Sequence, residues 1–385
     1  MSLLESFERE LHVLKASGNL RQFQSNQQED KWIQIDQHKM LNCSSNDYLG
    51  LAADLDLRAG FFDQLPNKLK IMGSSSSRLL TGNFPEYEAL EFQLSQAFLG
   101  RSALVFNSGY HMNIGILPAL SDSKTLILAD KLIHASMIDG IRLSTAKYIR
   151  YRHNDLEHLT QLLEKYHDDQ QFEKIIVVTE SIFSMDGDEA DLKQLVQIKY
   201  QFSKLMLYVD EAHAVGVRGQ KGLGCAEQYN IIQDIDFLVG TFGKALASVG
   251  GYLICHPIIR EYLINKMRPL IFSTAQPPLN MAWTTYIFKH MQNLHIVRDE
   301  FSLRCHKFRN EVMNKQFDCP SSSHLVPIII GDSAKTIMYA QKLQHEGFYI
   351  MPVRPPTVPK HSSRLRISLN AMLGEAELSR LVSVL

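Results

Sequence analysis

The sequence predicts an α/β chain, with a large domain on a mostly parallel sheet and a smaller C-terminal α+β domain. Three observations predict it. The runs TLILAD (125–130), KIIVVTE (174–180), LMLYVD (205–210) and DFLVG (236–240) are apolar at successive positions, as in strands buried on both faces. Helix-length segments separate them, which suits the crossovers that parallel strands require. Beyond Pro277-Pro278 a long helical stretch leads to HLVPIII, IMYAQKLQHEGFYI and RLRISL, a strand, helix and strand series.

Taken in order, Leu3, Leu4, Phe7, Leu11 and Leu14 are interleaved with charges and predict an amphipathic N-terminal helix that lacks a secretory core. A polar stretch, QSNQQEDKW, precedes a short strand in IDQHKML. The expected boundaries are residues 1–45 for the N-terminal helix and arm, 46–278 for the large domain, and 279–385 for the linking helix and small domain. At 385 residues the chain exceeds the usual single domain of about 100–150 residues. Apolar residues at 45% and charged residues at 21% exclude a disordered or fibrous chain. The 40 Lys and Arg against 41 Asp and Glu leave no general positive field to draw nucleic acid. No run of about 18 apolar residues predicts a membrane span. The five cysteines, 43, 225, 255, 305 and 319, are scattered without a CxxC pair and read as reduced thiols of a protein in the cytoplasm.

The chemistry centres on Asp210, leaving an apolar strand in LMLYVDEAHAVG, and Lys244, among small residues in TFGKALASVGG. The pair suits pyridoxal phosphate, whose ring nitrogen needs an anion beside it and whose aldehyde needs an amine. A strand-end aspartate and a surface lysine are the plainer reading of the same two residues. Ser108, Gly109 and Tyr110 offer donors for a phosphate at a helix start, or an ordinary turn. Thr241 could donate its hydroxyl to that phosphate or cap a turn. His134 suits stacking on a planar ring, or is a structural or exposed histidine; His213 could reach a phenolic oxygen or a substrate carboxylate, or pack a loop, and its closeness to Asp210 favours chemistry. Arg366 alternates with Leu365 and Ile367, so it faces either a cleft, where it could clamp a carboxylate, or solvent. Asp210 and His213 lack the further ligands a zinc site needs, so no metal is expected. No GxGxxG, P-loop or GxSxG element stands in the right context.

With these residues in place the chain resembles the α-oxoamine synthases, a branch of the fold-type I pyridoxal-phosphate transferases, nearly end to end. The resemblance rests on NDYLGL, SRLLTG, FNSGYHMN, DKLIHASMIDG, TESIFSMDGD, VDEAHAVGVRGQKGLG, TFGKALASVGG, FSTAQPP and RPPTVP. It implies that Lys244 holds the cofactor, Asp210 pairs with the ring nitrogen, His134 stacks and His213 contacts the phenolic oxygen. It further implies that Ser184 and Thr241 lie in the cofactor site, with Ser108, Gly109 and Tyr110 on the phosphate side. The family's homodimers place sites at the subunit interface, so Ser273 and Thr274 would reach the partner's phosphate. Arg21, Thr357 and Arg366 would bind substrates. Two departures stand out: Ser75 and Ser76 replace glycines, and Tyr87 replaces a histidine.

The implied reaction is decarboxylative condensation of L-alanine with a pimeloyl thioester carried by CoA or an acyl carrier protein. Sister activities use glycine with a short acyl-CoA or aminobutyrate with a medium-chain one. A regulatory protein that keeps the fold without turnover is a rival class; the intact set of Asp210, His213, Lys244 and Arg366 stands against it.

Overall fold

A computed structural model describes residues 3–385. The expected arm, 1–45, therefore begins at two residues outside the described ones. Two compact units emerge: one comprises Asp54–Phe183 and Glu189–Arg298, the other the described residues up to Ala53 together with Ser184–Asp188 and Asp299–Leu385.

In the larger unit seven strands form one sheet: β1 (Ser102–Phe106), β2 (Thr125–Asp130), β3 (Lys147–Tyr151), β4 (Lys174–Glu180), β5 (Leu205–Asp210), β6 (Phe237–Thr241) and β7 (Gly251–Cys255). Their spatial order is β1-β7-β6-β5-β4-β2-β3. Strands β2 to β6 pair in parallel, and β7 runs antiparallel to both β1 and β6. The reversal has a simple cause, since loop 242–250 is too short for a crossover helix. Every residue of β2 is buried, as is all of β4 after Lys174, which accounts for their unbroken apolar runs. Helix Gly109–Leu120 packs on helix Ala135–Leu143. Their approach depends on Gly140, where a Cβ would lie 2.4 Å from the Asn113 carbonyl oxygen.

Parallel strands gather their C-terminal ends on one side of a sheet, the usual place for ligand chemistry. Here β2, β4 and β5 end in Asp130, Glu180 and Asp210, with Glu180 and Asp210 register partners. The next residue, Glu211, is fully buried and accepts from the Ser181 hydroxyl and from the N–H groups of Cys225 (3.0 Å) and Ala226 (2.7 Å). Burial pushes its carboxyl up to about 7 against the opposing pull of those bonds. The folded state thus holds this proton more tightly than the unfolded chain. The stability it contributes is complete below the ordinary value of 4.5 and is lost as pH rises through about 7. Glu211→Gln mimics the protonated acid and is expected to flatten the fall in thermal midpoint between those limits, an effect of up to about 3 kcal/mol at pH 8. Thermal melts across that range check it; equal slopes in both proteins would discard the assignment.

The smaller unit holds a meander of Gln27–Glu29, Trp32–Ile35 and His38–Asn42, the last pairing in parallel with Phe348–Tyr349. A second sheet pairs Leu325–Gly331, Ser363–Ser368 and Pro352–Val353 antiparallel. Strand Gln27–Glu29 lies in the stretch read as a polar lead-in. All three of its residues are exposed, so no alternation of apolar and polar positions marks it. The hairpin turns at Asp36, whose φ of 53° is a conformation short polar side chains tolerate. Helix Glu5–Ala16 forms as its spacing predicts, yet none of its residues is buried.

The boundaries near 45 and 278 do not coincide with these units. Helix Pro278–Gln292 buries Met281, Ile287 and Phe288 and packs on helix Pro85–Ala97, which ties it to the larger unit. Residues 46–53 go with the C-terminal residues, where the Ala371 N–H donates to the Tyr48 carbonyl at 2.8 Å. The stretch read as one long helical segment is two helices, Pro278–Gln292 and His295–Asn314, separated at Asn293 and Leu294. None of the five cysteines forms a disulfide. No described helix is long and apolar enough to cross a membrane.

Candidate active site

Chain reversals at the sheet's C-terminal edge bring Gly109, Tyr110, His134, Asp210, His213, Thr241 and Lys244 around one cavity of about 180 Å³ in the larger unit. Asp210 sits at the end of β5, 6% exposed. Its Oδ1 accepts from the Ala212 N–H at 2.9 Å and its Oδ2 from the Asn113 amide at 3.0 Å. Two donors on opposite oxygens fix the plane of the carboxylate. Lys244 follows β6 on a short turn, and its Nζ lies 2.9 Å from Nε2 of the buried His213.

His134 caps helix Ala135–Leu143, with Nδ1 accepting from the Ser136 N–H at 3.2 Å and lying 2.7 Å from the Ser136 hydroxyl. Its backbone N–H donates to Glu180 at 2.5 Å. Burial, reinforced by Lys244 and opposed by Asp210, lowers the imidazole's affinity for a proton. Glu180 shifts the opposite way: desolvation first, then the Asp210 charge, push it well above the usual carboxylate range.

Ser108, just before the lining residues Gly109 and Tyr110 and itself outside the lining, caps helix Gly109–Leu120 through its hydroxyl, which accepts from the His111 N–H at 3.1 Å. A Cβ on Gly109 would stand 3.7 Å from the Thr241 hydroxyl, so the helix start and the Thr241 turn face one another closely. Of the two readings of Thr241, the cap is the one its hydrogen bonds describe. Its hydroxyl hydrogen goes to the Gly250 carbonyl at 2.9 Å, and its oxygen accepts from the Gly243 N–H at 3.1 Å. It is a turn cap as the structure stands. Tyr110 extends its hydroxyl to Asp139 at 2.6 Å.

The remaining expected residues lie outside this cavity's lining. Ser273 and Thr274 stand on a loop of the same unit, where the Thr274 carbonyl accepts from Asn107 at 2.7 Å. Ser184, Arg21, Thr357 and Arg366 belong to the smaller unit. There Arg21 donates to the Thr357 hydroxyl at 3.0 Å, so two residues named separately from sequence meet. Arg366 donates to Asn46 at 2.6 Å and Ser368 at 3.1 Å. The departures have structural roles: Ser75 holds a φ of 53°, a conformation that favours glycine, and the buried Tyr87 hydroxyl accepts from the Gln276 N–H at 2.7 Å beneath the Arg78 guanidinium.

Sequence reading missed Asn113, Ser136 and Glu180, which also line the cavity. Each carried a signal: Asn113 lies four residues after Gly109 on the same helix face, Ser136 follows the His134 cap, and Glu180 ends a strand beside Asp210. The whole donor set fits pyridoxal phosphate, offering a carboxylate for a ring nitrogen, an amine for an aldehyde, and a helix start for a phosphate.

Comparison with known proteins agrees with this geometry. Residues 38–385 match the family described as aminotransferase class I and II. A Pasteurella multocida (strain Pm70) protein bearing the provisional name 8-amino-7-oxononanoate synthase is 53% identical over 384 residues, covering 100% of this chain and 99% of its own. A lysine-to-alanine variant of serine palmitoyltransferase from S. paucimobilis, solved with a bound PLP–myriocin aldimine, superposes with a TM-score of 0.90 at 28% identity, covering 100% of this chain and 97% of its own. For 8-amino-7-oxononanoate synthase from Francisella tularensis the TM-score is 0.75 at 27% identity, with 90% and 96% covered. The chain therefore belongs to the aminotransferase class I and II family, in its α-oxoamine synthase branch.

Proposed function

We propose that this protein is a pyridoxal-phosphate-dependent C-acyltransferase that condenses L-alanine with a pimeloyl thioester, on CoA or a carrier protein, to give 8-amino-7-oxononanoate, carbon dioxide and the free thiol. The observation that carries this is the single cavity holding Asp210, His213 and Lys244, in a chain 53% identical end to end to a relative named for that reaction. When bound, pyridoxal phosphate supplies an aldehyde for the amino acid's amine and an electron sink for its α-carbon. Lys244 provides the amine that carries the cofactor and the base that moves the α-proton. Asp210 presents its fixed carboxylate to the ring nitrogen, and His213 Nε2, beside Lys244 Nζ, serves the phenolic oxygen. His134 covers the ring face, while Ser108, Gly109, Tyr110, Thr241 and Ser184 serve the cofactor's phosphate side and surroundings.

The working form is a cytoplasmic homodimer in which Ser273 and Thr274 serve the partner's phosphate. Support comes from large apolar side chains left in solvent on the larger unit: Leu80 is 79% exposed, Met72 78% and Phe272 71%. A partner's surface would take these side chains out of water. Arg21 and Thr357 bind the acyl substrate. Arg366 binds the alanine carboxylate, and Arg366→Leu is expected to weaken alanine at least about tenfold while sparing the thioester, through loss of a charge-assisted pair. Arg354 is the competitor, although it already donates to the Gly18 carbonyl with Arg21 nearby. Titrating alanine against the cofactor's visible band in both single variants separates them; a native-like Arg366→Leu and a weakened Arg354→Leu would move the clamp.

The direct test is a visible spectrum before and after L-alanine, followed by a product-mass assay pairing alanine, glycine and aminobutyrate with thioesters of graded length. A 8-amino-7-oxononanoate product from alanine is expected. Faster turnover of glycine with a short acyl-CoA would reassign the substrate within the family.

A further inference from the structure

In the cavity wall Asn113 is 2% exposed and Ser136 1%, and next to Asn113 the Tyr208 side chain is 0% exposed. They come from three elements: helix Gly109–Leu120, helix Ala135–Leu143 and strand β5. The Tyr208 hydroxyl donates to Asn113 Oδ1 at 2.5 Å. The Asn113 Nδ2 donates to Asp210 Oδ2 and to the Ser136 hydroxyl, each at 3.0 Å. The Ser136 hydroxyl, having accepted there, passes its own hydrogen to His134 Nδ1 at 2.7 Å.

A side-chain amide can be turned by half a revolution at little steric cost, so its orientation follows from its partners. Only one orientation works here. Both hydrogens of the Asn113 Nδ2 are engaged, and its oxygen meets a phenol that can donate. Burial and then the Asp210 charge push the Tyr208 phenol well above its ordinary range, so it remains a donor. At the far end, Nδ1 of His134 meets the hydroxyl and the backbone N–H of Ser136. It is therefore the acceptor nitrogen, and the proton of the neutral ring sits on Nε2. Without the Tyr208 hydroxyl, Oδ1 of Asn113 would be buried unpaired, or the amide would turn and set an oxygen against the Asp210 carboxylate.

We propose that Tyr208 and Asn113 are positioning residues, a one-directional hydrogen-bond relay by which a single buried amide acts with the Ala212 and Ser136 N–H groups to hold the Asp210 carboxylate plane and the His134 tautomer. This rests on the cofactor reading of the cavity and adds two residues to it. Asn113 lines the cavity, whereas Tyr208 lies outside its lining and acts only through Asn113. The close packing at Gly140, with no room for a Cβ beside the Asn113 backbone, keeps the relay's two helices at fixed separation.

The experiment compares the native holoenzyme with Tyr208→Phe, Asn113→Leu and the double variant. It reads the visible spectrum of the bound cofactor, the dissociation constant of pyridoxal phosphate added to apoprotein, and exchange of alanine's α-hydrogen in heavy water. Each single variant is expected to alter the visible band and to slow exchange, Tyr208→Phe by roughly tenfold. The double variant should be no slower than Asn113→Leu alone, since removing Tyr208 has no further effect once its acceptor is gone. Additive losses, or a Tyr208→Phe spectrum and exchange rate equal to the native ones, would overturn the relay. A lowered melting point with an unchanged spectrum would overturn it as well, because that is what a purely structural hydroxyl would give. Should Asn113→Leu fail to fold, the Tyr208→Phe spectrum and exchange rate decide alone. A native protein that shows no band and no response to alanine would instead refute the cofactor reading, before any variant is compared.

Discussion

Lys244→Ala is expected to abolish condensation, with a loss of about a thousandfold or more, while the apoprotein still takes up pyridoxal phosphate without a covalent link. Two duties fall on one nitrogen: carrying the cofactor and moving the α-proton. Positioned proton transfer alone is worth roughly a hundred- to ten-thousandfold. Its neighbour His213, 2.9 Å away, does not replace it, since an imidazole cannot both carry the cofactor and return a primary amine to the cavity. Removing the side chain beyond Cβ is expected to leave the fold intact, because Lys244 lies on a loop after β6 and is only partly buried. Product mass and the visible spectrum of the purified variant check this. Condensation near the native rate in a preparation freed of native enzyme would remove Lys244 from the chemistry.

Asp210→Asn is expected to preserve the fold and slow exchange of alanine's α-hydrogen by roughly a thousandfold. An opposite charge beside a titrating nitrogen shifts its protonation by about 1–3 units, and a neutral amide supplies none of that. The surroundings sharpen the effect. Asn113 and the Ala212 N–H aim donors at opposite oxygens of this carboxylate, so an amide there satisfies only one of them with its single oxygen and turns its own hydrogens toward the other. Exchange in heavy water, measured after cofactor occupancy has been matched, reads the result. An unchanged rate would make Asp210 a structural residue.

Local pattern carried much of this protein's description. Strands β2, β4 and β5 are legible because burial on both faces leaves an unbroken apolar run, and the residues that end them or follow them fall at predictable loops. Asp210 and Lys244 were legible for that reason, as was the helix start at Ser108. Strand Gln27–Glu29 was not, because an exposed edge imposes no periodicity. The unit boundaries were not either: whether helix Pro278–Gln292 belongs with one unit or another depends on which surface its buried face meets, and its own spacing is silent on the partner.

The sequence by itself determined the α/β class, the mostly parallel sheet, the family and the paired carboxylate and amine, since each is written in residues close together along the chain. Tertiary structure alone decided that Thr241 spends its hydroxyl on Gly250, that Arg21 meets Thr357, and that Tyr208, Asn113, Ser136 and His134 form one relay. Asn113 and Asp210 are 97 positions apart. A hydrogen bond depends on distance and direction in space, and no local period encodes which donor the fold will bring to a given acceptor.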